Sequence, residues 1–444
     1  MLKCKLGNVL MIVAALAAFF VVSASAESKA RIVRLSDVQG TVKIDRAAGQ
    51  GYEKAFLNLP LIQGSKLRTG SDGRAEVEFE DGSALRLVQD SEIEFPRLAL
   101  GDNGQKLTTV KLISGVMYLN AGGGKGDQIE FNFGRESVTL TEAAHFRVAF
   151  GDTDAVLAVF KGKVSGTGPS GQFEVAEKHT ARFDLADNDK IEMAKNFEQD
   201  PNDAWDKQQS EYHDRYAKNS SYNMSSPYGY GVSDLNYYGN YTMIPGYGWG
   251  WQPFLVDAGW NPFMNGAWAF YPGVGYMWVS GYPWGWMPFY YGNWGFAPGF
   301  GWFWQPGYWN TWVPVPTVVN PPVRTAVPTP PARGTGIVMV GQGLSANPAK
   351  PVSRLTVSPG SAGLGVPRGS VRDFARVSRE ASTSTRPVVV HTEMPTSRPS
   401  WNSGAWNSGA RGRSMGGGSI SGSRMGGSTS HPSSSPPPAR TTPH

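Results

Sequence analysis

A stretch of 64 residues, from Trp249 to Trp312, constrains the fold of this chain more than any other feature. It holds 12 of the 15 tryptophans, 13 further Phe or Tyr residues, seven prolines and twelve glycines, and its one charged residue is Asp257. An apolar stretch this dense must fold on itself or bind a partner. Glycine and proline interrupt it too often for a helix or a membrane span. We therefore expect short β-strands held together by their rings.

Short motifs recur in this stretch. The hexapeptide at 249–254 returns 35 residues later at 284–289, the one at 265–270 is echoed at 291–296, and 301–306 closes the set. A repeat of this length predicts a β-turn-β unit that buries its apolar face by stacking on its neighbours.

The N-terminus predicts an export signal. Lys3 and Lys5 precede an apolar run at 9–22, and the small residues at 24–26 match a cleavage site, so the predicted signal peptide is 1–26. An uncleaved membrane anchor is the alternative, but the run is shorter than the roughly 20 residues of a span. We expect cleavage, no stable transmembrane span afterwards, and a location in the periplasm or at the cell surface.

Cysteine usage excludes several kinds of chemistry. Cys4 is the only cysteine, and it lies inside the predicted signal. The mature chain therefore has no disulfide, no thiol nucleophile and no thiolate ligand for zinc. It must gain its rigidity from burial of apolar side chains.

Residues 30–190 show the pattern of an all-β domain. Ala75, Val77 and Phe79 alternate with Glu76 and Glu78, as in a strand with one buried face. The turn dipeptides at 72–73 and 81–82 predict chain reversals. Recurrent runs of this kind predict a β-sandwich or β-roll, with strands expected at 38–44, 75–79, 84–88, 110–119, 129–133, 137–140, 146–150 and 155–160.

The same region resembles the FecR-type periplasmic domain. The resemblance is carried by Val38-Gln39-Gly40-Thr41-Val42, Leu67-Arg68-Thr69-Gly70, Asp81-Gly82-Ser83, Leu112-Ile113-Ser114-Gly115-Val116 and the glycine-centred run at 159–164. Where the family usually shows Gly-Thr-x-Phe-x-Val, this chain keeps Phe146 and Val148 but has Ala143-Ala144 in place of Gly-Thr. Members that regulate sigma factors carry a cytoplasmic domain before a membrane span. Because an export signal stands at residue 1 here, the resemblance does not transfer iron-uptake regulation.

A helical connector is predicted at 197–218. Asp200 can cap the helix, Pro201 suits its first turn, and Trp205, Tyr212 and Tyr216 share one face. We expect that face to dock on a neighbouring domain, a partner-binding helix being the alternative. Residues 197–314 together resemble an uncharacterised Trp-rich module found after FecR-type domains. The predicted β-repeat module spans 219–316, and Tyr290 stands where that module often has histidine.

A disordered tail is predicted at 317–444, because its Pro, Gly and Ser runs leave too little apolar surface to offset the entropy of ordering. Residues 321–444 carry a net charge of +11, against −6 for 1–320. This asymmetry predicts contact with anionic lipid, polymer or DNA. The alternative is that the arginines only keep the tail in solution.

The sequence predicts no enzyme, no metal and no cofactor. Its six histidines have no metal-ligand spacing, and no nucleophile elbow, P-loop or dinucleotide motif is present. Glu76 and Glu78 could resemble a glycosidase pair, but on an alternating strand we expect them to face solvent.

The predicted function is that of a non-catalytic, exported envelope protein that binds or scaffolds a cell-wall glycan, peptidoglycan or an envelope protein. The alternative is a sensor or regulatory component of an envelope signalling system. A flat aromatic platform could bind a glycan, whereas the same rings could equally form the core of the module. The residues predicted for that platform are Trp249, Trp251, Trp260, Trp268, Trp278, Trp284, Trp286, Trp294, Trp302 and Trp304.

Overall fold

The computed structural model describes residues 31–392, apart from 124–125, 197, 218–225, 308, 310, 324, 326, 342–352 and 384–386. These residues all belong to one compact unit. The predicted signal peptide and the last 52 residues of the predicted tail lie outside the described residues. Over the ranges just given, no helix is long and apolar enough to cross a membrane.

The first half of the chain is built from strands. In chain order they are β1 (Val33–Gln39), β2 (Val42–Asp45), β3 (Glu53–Lys54), β4 (Pro60–Leu61), β5 (Lys66–Thr69), β6 (Arg74–Glu78), β7 (Ala84–Leu87), β8 (Glu92–Leu100), β9 (Lys106–Ala121), β10 (Gln128–Phe133), β11 (Glu136–Leu140), β12 (Ala144–Phe150), β13 (Asp154–Lys161), β14 (Lys163–Gly168), β15 (Gly171–Ala176), β16 (Thr180–Asp184) and β17 (Lys190–Ala194).

These strands pair into two sheets that share the long strand β9. One sheet has the order β4-β1-β6-β7-β9-β12-β13-β16-β17, and the other β3-β2-β5-β8-β9-β10-β11-β14-β15. Strand β9 changes sheets at Gly115, whose φ of 87° and contact with Ser91 leave no room for a side chain. We call this two-sheet region the sandwich.

The all-β prediction for this region is confirmed. Aliphatic side chains from both sheets, such as Leu35, Leu67, Leu119 and Val148, are buried in one core. Seven of the eight predicted strands each coincide with one observed strand, although 75–79 and 84–88 extend one residue past the ends of β6 and β7. The eighth, 38–44, is divided by a turn at Gly40 (φ 61°), which sends β1 and β2 to different sheets.

The second half contains helices and shorter strands. These elements are α1 (Asp203–Ala217), α2 (Val232–Tyr238), β18 (Gly239–Ile244), β19 (Gly248–Pro253), β20 (Asn265–Tyr271), β21 (Gly275–Ser280), α3 (Met287–Tyr290), β22 (Asn293–Ala297), β23 (Gly301–Gln305), β24 (Val318–Val319), β25 (Ile337–Gly341), β26 (Arg354–Val357), α4 (Phe374–Thr383) and β27 (Val388–His391). The strands form sheets in the orders β18-β19-β23-β22-β24, β21-β20-β25 and β26-β27. We call residues 226–341 the aromatic module.

The sequence repeat is only partly a structural repeat. Residues 249–254 lie mainly in β19, which pairs with β18, whereas 284–289 form a turn that leads into α3. In that turn the Gly285 N–H donates to the carbonyl of Tyr282, and both Trp284 and Trp286 lie in the core. Tertiary burial thus gives two nearly identical hexapeptides different backbones.

The prediction placed the start of the disordered tail at 317, but ordered elements continue beyond that residue. Strands β24 and β25 complete sheets of the aromatic module, and residues 353–383 pack against it. Phe374 stacks on Tyr237 with ring centroids 5.4 Å apart, and the Trp284 indole N–H donates to the carbonyl of Ala362 at 2.8 Å. Isolated apolar residues between Pro and Ser are enough to hold this segment in place, because the aromatic module supplies the surface that they cover.

Candidate functional site: a buried charge cluster

The two faces of β6 are both buried. Ala75 and Val77 point into the sandwich core, and Glu76 and Glu78 lie on the opposite face, with exposures of 0% and 3%. The sequence-based prediction that these glutamates face solvent is wrong. Helices α1 and α2 and the segment containing Arg368 cover that face of the sheet.

Two arginines pair with the glutamates across neighbouring strands. Arg86 on β7 stands opposite Glu76 in the strand register, and its Nε lies 2.7 Å from a carboxylate oxygen. Arg34 on β1 stands opposite Glu78, at 2.8 Å. The strand register itself therefore brings opposite charges together, as cross-strand pairing favours.

Helix α1 adds a second layer of charged groups. Asp206 lies 2.6 Å from Arg86 and 2.7 Å from the imidazole of His145. The Nε2 atom of His213 lies 2.9 Å from Glu76, and its Nδ1 atom lies 3.3 Å from Glu78. Both ring nitrogens of His213 thus face carboxylates.

The remaining members come from α2 and from residues beyond the aromatic module. Asp234 on α2 pairs with Arg34 at 2.7 Å and accepts a hydrogen bond from the Tyr212 hydroxyl at 2.7 Å. Arg368 reaches Glu76 at 2.6 Å and Asp37 at 3.8 Å. We define the charge cluster as Asp37, Glu76, Glu78, Asp206, Asp234, Arg34, Arg86, Arg368, His145 and His213.

Electrostatics in the cluster favour the charged forms. Burial by itself raises the pKa of Glu76, but the charges of Arg368, His213 and Arg86 outweigh it and hold that pKa well below its usual range. The pKa of Asp206 is likewise lowered, since His145 and Arg86 offset the effect of burial. Burial lowers the pKa of Arg368, but Glu76, Asp37 and Asp234 outweigh it and raise that pKa well above its usual value.

The arrangement suits neither a metal ion nor glycoside hydrolysis. Ligand atoms of Glu76, Glu78 and His213 lie within 4.8 Å of one another, as in a small cation site. However, Glu76 already accepts hydrogen bonds from Arg368, Arg86, Ser36 and His213. The guanidinium groups of Arg368 and Arg86, which bond to Glu76, would repel a cation there. Burial also keeps a substrate away from the carboxylates of Glu76 and Glu78. The cluster is built for ion pairing.

The tryptophans predicted to form a binding platform do not form an exposed surface. Of its ten residues, Trp249 alone is exposed, at 44%, and the other nine are between 0% and 4% exposed. Trp284 lies at the centre of the core, with ring centroids 4.8 Å from Trp251 and 5.0 Å from Tyr282. The alternative that these rings form the core of the module describes what the structure shows.

The prediction of a docking helix is confirmed. Trp205 and Tyr212 of α1 are buried, and Trp205 packs with Tyr118 and Val88 of the sandwich. Tyr212 and Tyr216 contact the ring of Tyr237 on α2, at 5.7 and 5.0 Å between centroids. Helix α1 therefore contacts both the sandwich and the aromatic module.

Comparison with known proteins finds two families along the chain. Residues 65–165 match the FecR protein family, and residues 232–326 match a family of unknown function, DUF6600. The chain thus carries a FecR domain followed by a DUF6600 domain, which confirms both resemblances. No curated protein matches the chain.

Solved structures give distant matches. Two crystal structures of a candidate anti-sigma factor from Parabacteroides distasonis ATCC 8503, at 1.65 and 2.50 Å resolution, share 18% and 17% identity with the chain, each with a TM-score of 0.27. Each match covers 32% of this chain and 63% of the other protein, so the chain spans less than two thirds of its length.

Proposed function

We propose that this FecR- and DUF6600-domain protein is a non-catalytic, exported envelope protein that acts as a rigid scaffold and binds an envelope glycan such as peptidoglycan. FecR-type proteins are regulatory or envelope-associated proteins. The predicted signal at 1–26 supports a place in the periplasm or at the cell surface. The absence of a thiol in the mature chain agrees with that compartment, since its rigidity needs no disulfide.

The charge cluster is the observation that carries the scaffold proposal. It joins the sandwich to the aromatic module through the ion pair of Arg34 with Asp234. It also joins Glu76 to His213 of α1 and to Arg368, which lies beyond the module. Removal of one partner from a buried ion pair costs about 3–5 kcal/mol, because the other charge stays buried and unpaired. Contacts of this strength make the two domains behave as one body, as a scaffold requires, where a flexible linker would leave them independent.

Use of the acidic residues for structure supports the non-catalytic part of the proposal. A glycosidase needs two carboxyl groups that reach the substrate, one of them with a raised pKa. Glu76 is buried, and its pKa is lowered by Arg368, His213 and Arg86. The most prominent acidic pair in the fold thus has the opposite properties.

Binding to purified cell wall tests the proposal. A tagged full-length chain is expressed in a bacterial host, fractionated, and its mature N-terminus is determined by mass spectrometry. We expect cleavage after Ala26 and co-sedimentation of the mature protein with peptidoglycan sacculi. The proposal would be refuted if the protein were found in the cytoplasm. It would also be refuted if the protein stayed in the supernatant at low salt while the sacculi sedimented.

A regulatory role is the second candidate, and the FecR family match favours it. In that case the FecR domain acts as a sensor arm for a separate membrane regulator. A sigma-factor gene beside the gene for this chain, and co-purification of the membrane regulator encoded with it, are the expected observations. Unchanged sigma-dependent transcription in a deletion strain would exclude this role.

The basic tail is proposed to contact anionic lipid, polymer or DNA. Arg368 is committed to the charge cluster, and Arg376 pairs with Asp373 and Glu380, so these arginines already have acidic partners. The appropriate deletion is therefore 393–444, which carries five arginines and one glutamate and leaves the core intact. We expect this deletion to abolish salt-sensitive binding to vesicles with 30% phosphatidylglycerol, since exposed charges are screened by salt. Equal binding by the shortened chain would remove the proposal.

A further inference from the structure

Strand β25 forms one edge of the sheet β21-β20-β25 in the aromatic module. It pairs with β20 over its whole length. Among the residues that the structure describes, no strand pairs with its second side, and no hydrogen bond from elsewhere reaches that side. Strand β21, at the other edge, is different, because its Trp278 N–H donates to the carbonyl of Pro314 at 2.9 Å. The sheet is therefore covered at β21 and open at β25.

The bond from Trp278 also shows which backbone groups of β25 point outward. Successive residues of an antiparallel strand direct their N–H and C=O groups to opposite sides. The Trp278 backbone points away from β20, so the backbone of Trp268, which stands opposite it, points towards β25. Val338 stands opposite Trp268 and thus bonds to β20. The alternate residues of β25 direct backbone groups out of the sheet, and they are Ile337, Met339 and Gly341.

The side chains along this edge are apolar and uncharged. Val338 and Met339 are 42% and 45% exposed, and Met264, beside the end of the strand, is 45% exposed. No Asp, Glu, Lys, Arg or His occurs between residues 334 and 349. Edge strands of natural proteins are usually protected from further pairing by charges, by proline or by a covering segment. Strand β25 contains neither a charge nor a proline, so it can accept another strand.

We infer that β25 pairs in antiparallel orientation with β25 of a second copy of this chain, about a two-fold axis at Met339. Such an axis places Met339 opposite its own counterpart, and Ile337 opposite Gly341 of the other copy. The residues with outward-directed backbone groups lie symmetrically about Met339, so each of them meets another such residue. A two-fold contact of this kind closes at two copies and leaves β25 with no open edge.

The edge favours a second copy over a charged strand of another protein. The side chains that meet across the axis are Val338 with Val340 and Met339 with Met339, so apolar groups pack on apolar groups without repulsion between identical copies. A charged strand would find no countercharge on β25. One strand pair buries less than the roughly 1,200–2,000 Å² of a stable interface, so we expect a weak dimer with a Kd on the order of 100 μM. The inference does not depend on which ligand the protein binds.

Sedimentation equilibrium of the mature full chain tests the inference. The measurement is made at concentrations from well below to well above the expected Kd. We expect a reversible equilibrium between monomer and dimer, with no larger species. A chain that stays monomeric at every concentration, or one that forms larger oligomers, would overturn the inference.

A charge exchange at Met339 locates the contact. Met339→Lys and Met339→Glu each place two like charges opposite one another at the axis, and each should weaken dimerisation at least about tenfold. An equimolar mixture of the two variants should dimerise again, because the charges then attract. Val389→Lys, on β27 where the side chain is 61% exposed, is the matched control and should dimerise as the parent does.

Two outcomes of the charge exchange would contradict the pairing. Equal dimerisation of Met339→Lys and Val389→Lys would place the contact elsewhere on the chain. A mixture of the Lys and Glu variants that stays monomeric would show that residue 339 does not lie at the axis. Circular dichroism of each variant confirms that the fold is retained, since Met339 is half-exposed.

Proline substitutions test whether the contact uses the backbone. Met339→Pro removes an N–H that points outward, which an edge strand tolerates, so the unfolding midpoint should change little while dimerisation is lost. Val338→Pro removes an N–H that bonds to β20 and should lower the midpoint. Dimerisation that survives Met339→Pro would refute strand pairing at this edge.

Discussion

The sandwich and the aromatic module build their cores in different ways. The sandwich buries alternate aliphatic side chains along paired strands of up to 16 residues. The aromatic module has strands of two to seven residues, and ring–ring contacts fill its interior. An aromatic ring buries about 150–250 Å². Strands too short to hold an aliphatic core can therefore hold one made of rings.

Glycine also has different roles in the two regions. In the sandwich, Gly40 and Gly115 allow turns and bends with positive φ. In the aromatic module, Gly266 provides room for a ring instead, because a Cβ atom there would lie 2.5 Å from the indole of Trp278. The high glycine content of the module is thus part of its packing.

The largest expected effect comes from the charge cluster, where the two regions meet. Glu76→Ala leaves Arg86, Arg368 and His213 facing each other without their shared carboxylate. We expect the free energy of unfolding to fall by about 3–5 kcal/mol. Circular dichroism follows the whole chain, whereas tryptophan fluorescence reports mainly on the aromatic module. We expect the two probes to report one shared transition in the parent chain and two separate transitions in the variant.

Glu211→Ala is the matched control for that substitution. Glu211 lies on α1 with its side chain 61% exposed, and it forms an i,i+4 pair with Lys207 at 3.9 Å. Exposed pairs of this kind contribute about 0.3–0.5 kcal/mol. Should Glu76→Ala cost no more than Glu211→Ala, or should both probes still report one transition, the two regions would be independent of the cluster.

The sequence predicts the sandwich well, because its pattern is local. Alternation along a strand such as β6 is visible within five residues, and glycines such as Gly82 mark the hairpins. The turn at 72–73 is different: Gly73 needs no positive φ, and it is glycine because a Cβ would lie 2.1 Å from the carbonyl oxygen of Thr41. A contact with a residue more than 30 positions away leaves no local signal.

The candidate site was not predictable for the same reason. Alternation indicates correctly that Glu76 and Glu78 leave the sandwich core, but not that a second layer covers them. That layer comes from His213, Asp234 and Arg368, which are up to 292 residues distant. Charges placed opposite each other on β6 and β7 were a signal that sequence reasoning could have used, since an Arg-for-Glu match across a hairpin is visible once the turn at Gly82 is recognised.

A smaller effect is expected at Gly266 in the aromatic module. Gly266→Ala would place a methyl group against the Trp278 ring and 2.7 Å from the carbonyl oxygen of Val279. Overpacking of this kind costs about 1–3 kcal/mol, and tryptophan fluorescence should show it as a lower denaturation midpoint. Gly336→Ala, where a Cβ meets nothing within 4 Å and φ is not positive, is the control and should be neutral or slightly stabilising. Equal effects of the two substitutions would contradict the view that glycine makes room for rings.

The smallest expected effect lies in the sandwich and depends on pH. Burial and the neighbouring charge of Asp189 raise the pKa of Glu136 from 4.5 to about 7. The folded chain therefore binds this proton more tightly than the unfolded chain, so the contribution to stability is present below pH 4.5 and is lost as pH rises towards 7. Glu136→Gln should raise the free energy of unfolding at pH 8 by about 1 kcal/mol, and should change it little at pH 4.

The comparison between the regions is sharpened by where this effect appears. Glu136 lies on β11, in the sheet that does not carry the charge cluster, so circular dichroism should show the gain at pH 8. Glu174→Gln, at an exposed position on β15, should give no gain at either pH. A gain for Glu136→Gln that is equal at pH 4 and pH 8 would mean that the carboxyl group titrates in its ordinary range, and that burial beside Asp189 does not govern it.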